Sequence, residues 1–285
     1  MIRYDEEKSF ELTDFKEIAG EDVVRVVISR CPKKVMTRVA KASDHFEKAK
    51  KLSGIDDEMG VIRLIAAEEE LVVAIFELIK SQKPGGGRYK TYVKKFNNHK
   101  VKLGFYPVLS QVKHILSSIY SSGVALDGMQ GDFGFSYRLV VENDKAVARI
   151  YYDDKGGYID HNPMSQIISL EDREYDEVLE SLYKEFEGRV HADANMDIKT
   201  FVAQRSDFRN KILYATDEGV ASMGESLDDL ISKVFSIAIQ DLLWVLCVLS
   251  SYPLDKNADL LLKQFFELYG MILKEAGVRD IKPLP

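Results

Sequence analysis

Glu58-Met59-Gly60-Val61-Ile62-Arg63-Leu64-Ile65-Ala66-Ala67-Glu68-Glu69-Glu70-Leu71-Val72-Val73-Ala74-Ile75-Phe76-Glu77-Leu78-Ile79-Lys80 is the stretch that decides the fold. Ile62, Ile65, Leu71, Val72, Ile75, Phe76 and Ile79 recur at helical spacing, so a helix is predicted over 58–80. It is apolar on nearly every side except at Glu68-Glu69-Glu70, which places it centrally in a bundle. Three consecutive helical positions point in three directions, so at least one of these carboxylates leans toward apolar surroundings and needs a cationic partner. Glu68 and Glu69 are therefore expected to tie helices together structurally, with the basic sequence that follows as the source of cations.

Working outward, Thr37 to Leu52 carries Val39, Ala42, Phe46 and Ala49 at three- and four-residue steps and predicts a second helix. Gly54 with Asp56-Asp57 supplies the turn of an antiparallel helical hairpin. Residues 1–36 form an acidic lead segment. Downstream, Pro84-Gly85-Gly86-Gly87 is the strongest breaker in the chain. Helical character resumes from Tyr89 to Gly104, Pro107 marks an interruption, and Val108 to Tyr120 reads as an amphipathic helix. The glycines at 123, 128, 131 and 134 signal irregular structure, closing a helical core over 37–134.

From Phe135 to Tyr158 the pattern changes to alternation: Tyr137, Leu139 and Val141, a turn at Asn143-Asp144, then a β-rich return from Ala146 to Tyr152. This predicts an inserted β-hairpin over 135–163. Ser169-Leu170-Glu171-Asp172 looks like a helix start. Helices are then expected over 171–186, 198–213, 227–249 and 255–275, a C-terminal helical region (164–285) packed on the core. The fold class is mainly α, a helical bundle with an inserted hairpin and a helical extension.

Composition fits a soluble globular protein, with 46% apolar and 30% charged residues. Cys31 and Cys247 resemble neither a disulfide framework nor a metal knuckle and read as reduced thiols. The first residues lack the apolar core of a signal peptide. The apolar run Val234 to Leu249 is interrupted by Gln240 and Asp241, so it reads as a buried core helix with no membrane partner. A cytoplasmic location is the expectation.

Charge is segregated. From Leu78 to Leu126 there are nine lysines and arginines and no aspartate or glutamate, in a chain of formal charge −7. Such a stretch attracts phosphates or acidic partners, and Arg88, Lys90, Lys95, Lys100 and Lys102 are the expected RNA- or phosphate-binding residues. A solvated lysine face is the plain alternative. Within the stretch, His99 sits among Lys94, Lys95, Lys100, Lys102, Asn97 and Asn98. Cations there favour a neutral, proton-accepting imidazole and could steady a phosphate, a combination suited to RNA cleavage without a metal. His99, Lys94 and Asn97 are the first catalytic candidates. Arg38 and His45, seven residues apart on one helical face, are the second. His114 reads as structural, and His191 carries no signal. His161 follows Asp160 near Asp153-Asp154 but lacks the spacing of a metal site. Gly85-Gly86-Gly87-Arg88 is not a phosphate loop, since no Gly-Lys-Ser/Thr follows. No metal or cofactor is expected.

Four segments taken in order resemble the AbiV-type branch of the HEPN superfamily: Ala42 to Ala49, Ile62 to Leu71, Lys95 to Lys102, and Ala148 to Asp153 with Gly156-Gly157 and Pro163. The resemblance covers roughly Thr37 to Phe186. It implies a dimeric helical bundle acting in bacterial anti-phage defence by abortive infection. Many members of that superfamily are metal-independent ribonucleases using an arginine and a histidine with four to six residues between them. Arg38 and His45 have that spacing, but valine follows the arginine where a polar residue is usual. Lys94 and His99 also have it, but lysine replaces arginine and loses the bidentate phosphate grip. The expected partners are RNA or the translation apparatus, a phage-encoded activator and a second copy of the chain. The competing expectation is a non-catalytic module whose basic helix binds an acidic phage or host protein, or is covered internally by the acidic stretch Glu171 to Glu187.

Overall fold

The computed structural model describes residues 11–83, 85–121, 136–151, 157–169, 173–213, 224–255, 259–282 and 284. Its axis is α4 (Asp57–Ser81), which realises the helix predicted over 58–80. Asp56 caps it by accepting the Met59 N–H at 3.0 Å, and Asp57 and Glu58 complement the positive end of the helix. Leu64, Ala67, Leu71, Val72, Ala74, Ile75 and Ile79 are fully buried. Alongside it runs α3 (Lys33–Leu52), opened by Pro32 in an extended conformation. Val35, Val39, Ala42, Phe46 and Ala49, at alternating steps of four and three, form its buried stripe.

The lead segment contributes two further helices, α1 (Thr13–Ala19) and α2 (Glu21–Arg30), turned at Gly20 with φ 94°. Phe15 packs on Phe46 with ring centroids 6.3 Å apart, and Val23, Val24, Val26 and Val27 are buried. These helices share one hydrophobic core with the rest of the chain.

Beyond α4, the glycine stretch is a packing point as much as a breaker. A short 3-10 turn covers Gly85–Tyr89, and a Cβ on Gly86 would overlap the Ile79 carbonyl oxygen, as one on Gly85 would overlap that of Leu254. The single helix expected from Tyr89 to Gly104 is two short ones, α5 (Lys90–Val93) and α6 (His99–Leu103). The break falls at Asn97-Asn98. The Asn98 side chain accepts the Lys100 N–H at 2.9 Å and so starts a new helix instead of continuing the old one. Next, α7 (Phe105–Ser121) begins before Pro107. The proline lies in its first turn, where no backbone donor is needed, and interrupts nothing.

The hairpin pairs β1 (Ser136–Glu142) with β2 (Lys145–Tyr151) antiparallel. Asn143 and Asp144 both take positive φ, 51° and 58°, as a two-residue primed turn requires. A third strand, β3 (Tyr158–His161), pairs with β2, so the expected hairpin is a three-stranded sheet. The glycines at 123, 128, 131 and 134 lie outside the described residues.

The helix expected from Glu171 is α8 (Tyr175–Ala194), begun by a capping box of Glu174 and Glu177. Leu170 to Asp172 lie outside the described residues. After α9 (Ile198–Leu213), α10 (Leu227–Leu230) runs through a π-helical turn at Ile231–Phe235 into α11 (Ser236–Ser251). By length and composition Leu227–Ser251 could cross a membrane. Here it serves as a core helix against α4, α2 and α1, with Ile239, Leu242, Leu243, Leu246 and Cys247 buried. The last helix, α12 (Leu260–Glu275), brings Phe265, Phe266 and Tyr269 onto Tyr89, Tyr92 and Phe105. Centroid separations of 4.8 Å for Phe105–Phe265 and 5.0 Å for Tyr92–Phe266 make this an interlocked aromatic cluster.

Candidate functional site

The three successive glutamates of α4 reach three different helices. Glu68, 2% exposed, accepts two bonds from Arg205 of α9, at 2.9 and 3.1 Å. Burial pushes its carboxyl up, and the guanidinium opposes that shift. Glu70 accepts from Arg38 of α3 at 3.0 and 3.3 Å. Glu69, 8% exposed, meets α6: its Oε1 lies 2.5 Å from His99 Nδ1, and its Oε2 accepts from Lys102 Nζ at 2.8 Å. The expected tie between the glutamates and the basic segment is thus made by Glu69, with Glu68 tied elsewhere.

His99 itself is surface-accessible at the start of α6, and its ring stands in a polar cleft of about 450 Å³. Asn97, Asn98 and Lys100 line one side, Ser206, Asp207 and Asn210 of α9 another, and Gly277 to Arg279 close the third. With Nδ1 held by a buried carboxylate, a neutral ring is oriented as an Nδ1–H donor, leaving Nε2 as the base. A base with a carboxylate behind it and cations beside it can move a proton and hold an anion. The cleft also contains the Asp207 carboxylate, which limits its positive potential.

The other catalytic pair lies apart from this cleft. Arg38 is engaged by Glu70, and His45 Nδ1 lies 3.2 Å from Arg63 Nη1. Arg38 and His45 are seven residues apart on α3; Glu70 and Arg63 are seven apart on the antiparallel α4. The two pairs are rungs between neighbouring helices. Burial, then Lys41 and Arg63, lower the His45 pKa to about 4.

The basic stretch is largely neutralised inside the protein. Arg88, expected at a phosphate-binding surface, is almost wholly buried against Asp259, which also accepts from Tyr89 Oη at 2.9 Å. Lys102, expected in the same role, is largely covered and paired with Glu69. Both sit inward because their helices lie between α4 and α12, and a buried carboxylate there needs a counter-charge. Lys95 donates to the Arg279 carbonyl at 2.7 Å and lies 3.8 Å from Asp280. Lys100 Nζ donates to the Ala276 carbonyl at 3.1 Å, and Lys113 pairs with Asp241 at 2.6 Å. The carboxylates meeting the basic stretch thus come from α4, α11, the start of α12 and the end of the chain, whereas α8 packs mainly on α12 and α9 and reaches α7 through Arg189 and Gln111. Of the expected cover by Glu171 to Glu187, the acidic side chains among the described residues make no ion pair with the basic stretch, and Glu171 and Asp172 lie outside those residues. Among the described residues, Lys83, Lys90 and Lys94 remain exposed without an ion-pair partner.

Two residues of the site had no local signal in the sequence. Arg205 and Arg279 lie more than a hundred positions from His99 and are brought near only by the packing of α9 and the chain end. Burial lowers the pKa of His161, and Asp153 and Asp154 lie outside the described residues. No group of three His, Cys, Asp or Glu side chains among the described residues is placed to hold a metal ion.

Compared with family models, curated proteins and solved structures, the chain matches none.

Proposed function

We propose that this is a bacterial anti-phage defence protein of the abortive-infection type, an AbiV-like relative of the HEPN proteins, which binds RNA and cleaves it without a metal. The observation that carries the reading is the contact between His99 and the buried Glu69 in a polar cleft. In this reaction His99 Nε2 takes the proton of a ribose 2′-hydroxyl. The 2′ oxygen attacks the adjacent phosphorus, a cyclic phosphate forms as the bond to the 5′ oxygen breaks, and that oxygen takes up a proton from water. Lys100 and Arg279 line the same cleft and supply positive charge toward the phosphate, with Lys94 exposed just before it. Asn97 offers a neutral hydrogen-bonding group at the rim. The four ordered sequence segments support the defence context, and the action is placed on RNA or the translation apparatus, with a phage-encoded activator and a second copy of the chain as further partners.

Cleavage of labelled total RNA or tRNA in EDTA tests this, comparing wild type with His99→Ala, Glu69→Gln and His45→Ala. Cleavage lost in His99→Ala, reduced at least tenfold in Glu69→Gln and retained in His45→Ala is the expected result. Absence of cleavage by wild type, with a candidate phage activator present, would overturn the nuclease reading and leave a non-catalytic module that binds an acidic partner.

A further inference from the structure

Between α7, α11 and α12 lies a cavity of about 670 Å³, bounded also by β1 and the turn at Pro163–Ser165. Its volume lies within the roughly 300–1,000 Å³ usual for small-molecule sites. Its walls are mostly aliphatic and aromatic: Leu109, Val112, Trp244, Val248, Leu261 and Phe265 among others. Two of its polar groups, Gln240 and Asp241, adjoin on α11, and Lys113 of α7 and Arg138 of β1 also line it. Gln240, half-buried, faces the cavity with no hydrogen-bond partner among the described residues. Beside it, Asp241 is nearly buried; one of its oxygens takes the Lys113 ammonium at 2.6 Å, while the other has, among the described residues, only the Tyr106 hydroxyl at 3.5 Å. One free carboxamide and one under-used carboxylate oxygen therefore sit together in a mainly apolar chamber, with Lys113 held by Asp241 and Arg138 exposed on its β1 wall.

We propose that this cavity binds a small, uncharged, mainly apolar molecule carrying a hydrogen-bond donor at one end. The apolar body would lie along Trp244, Val248 and Phe265, and the donor would reach the Gln240 carbonyl or the free Asp241 oxygen. Beside Gln240 an anionic head would meet the Asp241 carboxylate, which already neutralises Lys113, and Arg138 stands exposed on β1. A cationic one would compete with Lys113 for a carboxylate that already has its counter-ion. The site is separate from the His99 cleft and does not depend on the reading given to it.

The protein's single tryptophan, Trp244, stands in the wall and makes the test direct. The probe is 1-aminoanthracene, an uncharged apolar molecule with one amine donor whose emission rises in apolar surroundings. The expected result is saturable one-to-one binding with quenching of Trp244. Affinity should fall at least tenfold in Val248→Phe and Leu109→Phe, which fill the chamber, and several-fold in Gln240→Leu. Circular dichroism and thermal melting identify any variant that fails to fold, and the two filling variants lie on different helices so that one can stand for the other. Absence of saturable binding by wild type, or unchanged affinity in the folded filling variants, would overturn the proposal. Unchanged affinity in Gln240→Leu would overturn its polar half.

Discussion

Arg205 on α9 holds Glu68 on α4 in a two-pronged grip, with both carboxylate oxygens accepting from the same guanidinium nitrogen at 2.9 and 3.1 Å. The carboxylate is 2% exposed, so the arginine is its main source of compensation. Arg205→Met should lower stability by about 3–5 kcal/mol at neutral pH in urea denaturation, because it strands a buried charge. Burial already raises the Glu68 carboxyl pKa, and losing the guanidinium raises it further. A raised folded pKa means stability is gained as pH falls through it, so the variant should recover part of its loss in mildly acidic buffer. The double variant Glu68→Leu/Arg205→Met should be more stable than Arg205→Met alone.

His45 makes the opposite kind of pH dependence. Its folded pKa is lowered to about 4 from an ordinary value near 6.5, so the unfolded chain binds the proton first. Stability should be unaffected by this group above about pH 6.5 and should fall as pH drops from there toward 4. A His45→Gln variant measured by urea denaturation across that window should show a shallower loss than wild type. An equal slope in both would remove His45 as the cause.

Gly86 is held close to the Ile79 carbonyl, with no room for a side chain. Gly86→Ala should cost about 1–3 kcal/mol through overpacking, while Gly87→Ala, with open space around it, should leave thermal melting nearly unchanged.

Cys31 and Cys247 are both buried, and burial pushes each thiol up to about 12. Neither should react with iodoacetamide at pH 8 in the folded protein, and both should react after denaturation, as counted by mass spectrometry.

Lys94 and Arg88 separate surface charge from structural charge. Lys94→Gln should weaken RNA binding uniformly across sequences and reduce the salt slope by about one, with stability unchanged. Arg88→Gln should instead lower stability by about 3–5 kcal/mol, because it leaves Asp259 buried without its cation. Equal effects of the two on RNA affinity, at equal stability, would sink the distinction.

The central helix was legible because its apolar residues surround the whole cylinder, and its three glutamates demanded partners that the packing supplies. The β-turn was legible because Asn143-Asp144 tolerate the left-handed backbone. Tyr89 to Gly104 was misread as one helix because lysines and valine fit either state, and the cap made by Asn98 decides the outcome locally. The basic stretch was visible as composition, but its neutralisation was not. Arg88 meets Asp259 and Lys113 meets Asp241 across 171 and 128 positions, and no local pattern encodes such pairs. His99 stood out by its neighbours in sequence, whereas the carboxylate that orients it lies thirty residues upstream on another helix.

The distance between those charges along the chain has a consequence in time. Synthesis runs from the amino end, so the lysines and arginines of 78–126 emerge long before Asp241, Asp259 and Asp280 exist to meet them. During that interval the stretch itself is a run of nine positive charges with Glu69 and Glu77 as its nearby anions, while the chain made after it turns the total negative. Each late aspartate then removes one positive charge as it docks. The finished molecule hides a surface that its own precursor displays, and the closing helices act as delayed counter-ions.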